Sequence, residues 1–198
     1  MRISIILLAA GTSSRLGQPK QLLSVRGFTM VEHAMRMWRG VKLDQRICVT
    51  GHLNDQISEL AKGQDWTPHY NSNYLLGPGA SIKSAINFMD LSQSNGVIIS
   101  VCDQPLVPGH YYQRFYEMVQ SNPHSIIASK YLQDFGVPSY FPRSCFDELT
   151  RIGNTNGAKS IIHSRLSDTK FLYCAQGHRD IDTKYDLQYL AQLEPVTS

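Results

Sequence analysis

The segment Ile3–Leu8 is an apolar run with no polar alternation, and it passes directly into a loop rich in Gly, Ser and Thr that carries Arg15 and Lys20. A run of this kind is a strand covered on both faces, as in a parallel sheet, rather than a half-exposed hairpin strand. The pattern recurs. Ile47-Cys48-Val49-Thr50-Gly51 and residues 97–101 are further buried runs, each ending at a turn-forming or polar segment. Between them lie helical spacings: Val31, Ala34, Met35 and Trp38; then residues 53–61; then Ile82, Ala85, Ile86 and Met89. Residues 66–70 read as a strand, and Tyr112, Phe115, Tyr116 and Val119 as the core face of another helix.

Strand, loop and helix in repetition predict a mostly parallel, doubly wound α/β sheet. The remainder is less regular. Residues 125–130, 137–141 and 170–174 read as strands, and 146–149, 158–166 and 183–193 as helices, the last with Thr183 and Asp186 in a capping pattern. No repeat, low-complexity tract or linker divides the chain, so a single domain over residues 1–198 is expected.

With 198 residues and 42% apolar content the chain can bury a sizeable core. A net charge of +3 gives no reason to expect nucleic acid or a membrane surface, and suits anionic small molecules. The N-terminal apolar stretch has a single Arg before it and runs into a charged turn, which fits a strand rather than a signal peptide. No run approaches the ~20 apolar residues of a membrane span. Cys48, Cys102, Cys145 and Cys174 form no CxxC pair and are expected as buried, reduced thiols of a cytoplasmic protein. The seven histidines show no metal-ligand spacing.

The loop after the first strand has five residues between Gly11 and Gly17 and no Gly-Lys-Ser/Thr, so it is neither a Walker A loop nor a dinucleotide fingerprint. It nevertheless has the parts of a triphosphate cradle. Small residues let successive amides face one anion, Arg15 offers a fork of donors and Lys20 a point charge. Asp103 stands at the carboxyl end of a buried strand, where open α/β sheets bind ligands, and a carboxylate there suits Mg²⁺ on a triphosphate. Read alone, Asp103 also suits a turn, and Asp180-Ile181-Asp182 an acidic helix N-terminus.

The segment Leu8-Ala9-Ala10-Gly11 through Ser13, Arg15, Gly17 and Lys20 resembles the L-A-A-G-x-S-x-R-x-G-x-x-K signature of α/β nucleotidyltransferases. Its extension Lys20-Gln21-Leu22-Leu23 resembles the molybdenum-cofactor cytidylyltransferase branch, with a MobA-like NTP transferase domain; related guanylyltransferases more often read L-A-G-G. Asp103-Gln104-Pro105 resembles the family's metal-binding D-Q-P, and the stretch 180–187 its D-x-D-T-P-E-D-L, with Lys184 and Tyr185 departing from it.

The resemblance implies a single three-layer, Rossmann-like domain of the nucleotide-diphospho-sugar transferase type, with a mostly parallel, mixed sheet. It implies an Mg²⁺-dependent transfer of NMP, CMP from CTP first, to a phosphate-bearing acceptor such as molybdopterin, with contact to a recipient molybdoenzyme or its chaperone. Leu8, Ala9, Ala10 and Gly11 would hold the triphosphate with Arg15 and Lys20. Gly79 and Ser81, with the free amides of a helix start, would lie near base and ribose. Asp103 and Asp182 would be the metal ligands, with Asp180 the alternative to Asp182, and Arg15, Lys20 and Asp103 would carry catalysis. Gly136-Val137-Pro138 and residues 153–159 match the acceptor-side segments loosely, the second with a longer Asn-rich turn and Lys159 in place of Arg. A guanylyltransferase, a sugar- or polyol-phosphate nucleotidyltransferase, and a non-catalytic nucleotide- or cofactor-binding module are the alternatives.

Overall fold

The computed structural model describes residues 1–177, 179–190 and 193. In chain order its elements are β1 (Ile3–Leu8), β2 (Ser24–Val25), β3 (Phe28–Thr29), α1 (Met30–Met37), β4 (Arg46–Thr50), α2 (Asn54–Lys62), β5 (Thr67–Tyr70), α3 (Pro78–Phe88), β6 (Gly96–Val101), α4 (Gly109–Ser121), β7 (Ile126–Tyr131), β8 (Asp134–Pro142), α5 (Phe146–Arg151), α6 (Lys159–Ser164), β9 (Thr169–Tyr173) and α7 (Leu187–Leu190). Seven strands form one sheet in the order β5-β4-β1-β6-β8-β7-β9, and β2-β3 make a separate hairpin. β5, β4, β1 and β6 are mutually parallel, β9 is parallel to β7, and β8 is antiparallel to both of its neighbours. The expected mostly parallel, mixed sheet is the one observed.

The apolar run of β1 is explained by burial on both faces. Ile5 and Leu7 face a core shared with Val31, Trp38, Ile57 and Phe115 from α1, α2 and α4. Ile6, between them, faces a second core with Ile82, Leu149 and Ile161 from α3, α5 and α6. Successive strand residues point to opposite faces, so an uninterrupted apolar run serves two cores at once. Trp38 anchors the first, meeting Tyr112 edge-on with ring centroids 4.9 Å apart.

Local chemistry accounts for the smaller elements. Arg26 and Gly27 both take positive φ (51° and 83°), the two-residue turn that matches hairpin twist, and they close β2 onto β3. Thr29 and Glu32 then form a reciprocal capping box that starts α1.

Two helices differ from expectation. The helix expected over 158–166 is α6 only to Ser164, after which residues 166–168 make a 3₁₀ turn. The helix expected over 183–193 is confined to Leu187–Leu190 within the described residues, and positions 191 and 192 lie outside them. The Thr183–Asp186 capping pattern is present, with Asp186 accepting from the amide and hydroxyl of Thr183 and from the Asp182 amide, but the Asp186 amide reaches back only three residues to the Thr183 carbonyl, so the first turn is too tight to be α-helix. Asp180 and Asp182 precede this turn and lie outside any helix.

All four cysteines are buried and none is disulfide-bonded. Among the described residues no helix is long and apolar enough to cross a membrane.

His33, on α1, is 3% exposed and its Nε2 has no hydrogen-bond partner. Burial first, then the positive charge of Arg26, push its pKa down to about 4, against the pull of the Pro105 carbonyl. Above pH 6.5, its ordinary value, the imidazole is neutral in folded and unfolded chains alike. Below that, the unfolded chain takes the proton first, so stability falls with pH until the folded pKa is reached. The expected loss is about 3 kcal/mol. Urea unfolding between pH 7 and pH 4 should show this slope in the wild type and a flatter one in His33→Gln.

Candidate active site

The chain runs from β1 outward to β4 and β5, then returns to place β6 on the other side of β1. The carboxyl ends of β1 and β6 therefore flank the point where strand order reverses, the usual ligand crevice of an open α/β sheet. Register makes this concrete. Leu8 lies opposite Val101, so the loop after β1 and the segment Cys102-Asp103-Gln104 leave the sheet side by side.

Gln21 shapes the loop. Its side chain is 1% exposed and its Nε2 donates to the carbonyls of Ala9 (3.1 Å) and Gly11 (2.6 Å). The Ser13 hydroxyl donates to Gln21 Oε1 and accepts from the Lys20 amide, closing residues 13–20 into a ring. With the carbonyls turned inward, the amides of residues 11–15 find no acceptor among the described residues, as an anion cradle requires. Sequence reasoning passed over Gln21 as a site residue; its place between Lys20 and two leucines was the available signal. Gln21→Ala strands two carbonyls. It should cost about 1–3 kcal/mol in thermal unfolding.

The C-terminal segment closes on the same point. The Ile181 amide donates to the Asp103 carbonyl at 2.9 Å, while the Ile181 side chain is fully buried against Val25 and Met30. This pins Asp180 and Asp182 on either side of a fixed residue. Lys20 Nζ then bridges Asp103 Oδ2 (2.5 Å) and Asp182 Oδ1 (2.8 Å), and Arg15 donates to Asp182 Oδ2 at 2.7 Å. Burial, the largest influence on Lys20, acts to lower its pKa, yet Asp103 and Asp182 together raise it, so the ammonium stays charged. Asp180 is held by Gln104 Nε2 at 3.0 Å, and its pKa is pushed up to about 6, by burial first and by the Asp103 charge second.

Two cavities meet here, sharing Leu8, Pro78 and Val101 in their walls. The smaller, about 220 Å³, is bounded by residues 8–11, Lys20, Tyr74, Ser81 and Asp103. The larger, about 510 Å³, is bounded by Gly136, Val137, residues 157–159, Gln104 and Asp180. The structure thus brings both loosely matched acceptor-side segments to one wall. Its Lys159 is already paired with Asp134 at 2.5 Å, so it is not an uncommitted cation.

One expectation is corrected. The amides of Gly79 and Ala80 at the start of α3 are not free donors, because both donate to the Asn154 carbonyl, at 2.9 and 3.3 Å. The longer Asn-rich turn folds over this helix end and caps it, with Lys83 Nζ held on Asn154 Oδ1. Ser81 is buried and its hydroxyl accepts from Asn71 Nδ2, though it still borders the smaller cavity.

Asp103 Oδ1 is buried without a partner. An orphaned carboxylate oxygen beside a second carboxylate fits a hard divalent cation that completes its shell with phosphate oxygens and water. Among the described residues no group of three or more His, Cys, Asp or Glu makes a cation cage by itself. Binding at Asp103 and Asp182 would thus require a ligand's oxygens too.

Comparison with known proteins follows the same outline. The family model described as "MobA-like NTP transferase domain" matches residues 5–169. A probable molybdenum cofactor guanylyltransferase of Bacillus cereus (strain Q1) is 27% identical over 124 residues, covering 62% of this chain and 59% of that relative. Other curated relatives are longer still, and the chain spans 40% of their length. The crystal structure of Rv0371c from Mycobacterium tuberculosis H37Rv superposes with a TM-score of 0.79 at 26% identity, covering 97% of this chain and 99% of that one. A crystal structure of Rv0371C in complex with manganese superposes with a TM-score of 0.77 at 24% identity, again covering 97% and 99% of the two chains.

Proposed function

Because the chain belongs to the family of MobA-like NTP transferase domains, we propose that it transfers a nucleoside monophosphate from an NTP to a phosphate-bearing acceptor. The observation that carries this is the convergence of Arg15, Lys20, Asp103 and Asp182, of which Lys20 and Asp103 line the smaller cavity, beside a second cavity that shares its wall. The smaller cavity, with Lys20 and the open loop amides at its wall, suits the triphosphate, and the larger leaves room for a second substrate.

An acceptor phosphate oxygen, already anionic, attacks the α-phosphorus in line, and the bond to the β-phosphate oxygen breaks to release pyrophosphate. No covalent enzyme intermediate is needed. The chain's work is positioning and charge neutralisation. The amides of residues 11–15 with Arg15 and Lys20 balance charge on the triphosphate, most strongly where it builds up on the departing pyrophosphate. Asp103 and Asp182 would hold Mg²⁺, which supplies further charge neutralisation at the phosphates. Gln104 orients Asp180 at the wall of the larger cavity.

We take CTP as the nucleotide and molybdopterin as the acceptor, with the product passing to a molybdoenzyme or its chaperone. Ala10 supports CTP, since it stands where guanylyltransferases resembling this chain more often have Gly. The name of the Bacillus cereus relative favours GTP and keeps that as the second reading. Pyrophosphate release with each of the four NTPs, molybdopterin and a panel of other phosphate acceptors, with and without Mg²⁺, tests both. Release with CTP and molybdopterin is expected. Release with GTP alone would select the second reading, and nucleotide binding without release for any acceptor would overturn transferase function.

A further inference from the structure

We propose that Lys20 is the resident counter-ion of Asp103 and Asp182 and competes with a divalent cation for them, so that the cation gains full access only as the lysine transfers its charge to a triphosphate. The inference rests on the nucleotidyl-transfer reading of the site and goes beyond it by giving Lys20 a second role, control of metal binding.

The carboxylate oxygens are already taken. Asp182 has Oδ1 on Lys20 and Oδ2 on Arg15, so neither oxygen is uncommitted. Asp103 has Oδ2 on Lys20, and only its Oδ1 is without a partner. A cation ligated by both residues must displace one of the two basic side chains or bind within a few ångströms of both. The two differ in how easily they leave. The Arg15 side chain is 72% exposed and can exchange its carboxylate for water. Lys20 is 14% exposed, its ammonium lies between the two acids, and its backbone is fixed by the Ser13 hydroxyl. An ammonium is a compact point charge whose repulsion of a nearby divalent ion is little screened in a buried site.

The arrangement also supplies the way out. Lys20 borders the smaller cavity together with the loop whose amides await an anion. A triphosphate entering there offers Lys20 a new partner at no cost in burial, and rotation of the flexible stem moves the charge without moving the backbone. Nucleotide and metal would then favour each other's binding reciprocally, through one side chain.

The test uses Mn²⁺ alone, titrated into nucleotide-free protein by calorimetry and by loss of the free-ion EPR signal. Lys20→Met should bind Mn²⁺ at least about tenfold more tightly than the wild type, and gain more in Tm when the ion is added. Lys20→Gln provides a second neutral variant should the methionine fail to fold. Lys20→Arg should retain weak binding, and Arg15→Gln should change affinity by less than about threefold, as its exposure predicts. Equal affinity in the wild type and both neutral variants, or a larger gain in Arg15→Gln, would overturn the role of Lys20. Asp103→Asn separates the two levels. If that change abolishes binding while Lys20 variants match the wild type, the metal site stands and the competition fails. If no variant binds Mn²⁺ and Asp103→Asn makes no difference, the metal assignment falls and the proposal with it.

Discussion

Asp103→Asn is expected to lower kcat/KM for pyrophosphate release by about 10³-fold or more while leaving the fold largely intact. The asparagine keeps the volume of the carboxylate and can still accept from Lys20, so the bridge to Asp182 keeps one partner on each side. The Ile181 amide bonds to the Asp103 backbone carbonyl, which the substitution does not touch. What disappears is the negative charge at the wall of the smaller cavity, with the buried Oδ1 that has no protein partner. Steady-state kinetics beside a thermal melt would separate these effects. A Tm within a few degrees of wild type and near-complete loss of turnover is the expected pair. Activity within tenfold of the wild type would remove Asp103 from the mechanism.

The second large effect is on stability. Gly79→Ala should destabilise the protein by about 3 kcal/mol, or roughly 6–12 °C in Tm for a domain of this size. A Cβ built at Gly79 would stand 2.0 Å from the Gly153 carbonyl oxygen and 2.6 Å from that of Asn156. Both are backbone atoms, so no side chain can swing aside to relieve the contact. The turn would have to lift away, breaking the bonds from the Gly79 and Ala80 amides to Asn154 and displacing residues 157–159 from the larger cavity. Loss of acceptor binding should therefore accompany loss of stability. Gly11→Ala is the control, since a Cβ there meets nothing within 4 Å. Its stability should stay within about 0.5 kcal/mol of the wild type.

The two substitutions mark different sources of information. The reading of Asp103 came from its place just past a buried strand, where a parallel sheet puts its ligands, together with the resemblance of Asp103-Gln104-Pro105 to the family's D-Q-P. The constraint on Gly79 was not legible in the chain. It arises from a turn more than seventy residues away, and nothing near Gly79 in sequence announces that its amide will be capped by Asn154. The same holds for Gln21. Its two bonds to loop carbonyls are short in sequence separation, but they depend on the loop curling back over the end of β1. The final helix differs only at its start. Thr183 and Asp186 make the expected capping contact, yet the Asp186 amide closes back three residues onto Thr183, and within the described residues the α-helix covers Leu187–Leu190.

By itself the sequence determined the layer architecture, the strands that are buried on both faces and the chemical character of the loop after β1. These follow from local hydrophobic runs, helical spacing and residue type, which any fold of this chain must satisfy. Only the tertiary structure decided how the site is assembled: that Lys20 stands between Asp103 and Asp182, that Arg15 holds the second oxygen of Asp182, and that the start of α3 is capped rather than open. Those relations join residues up to 167 positions apart. They depend on the reversal of strand order beside β1 and on the backbone bond from Ile181 to Asp103, and long-range register of that kind leaves no periodic trace in the chain.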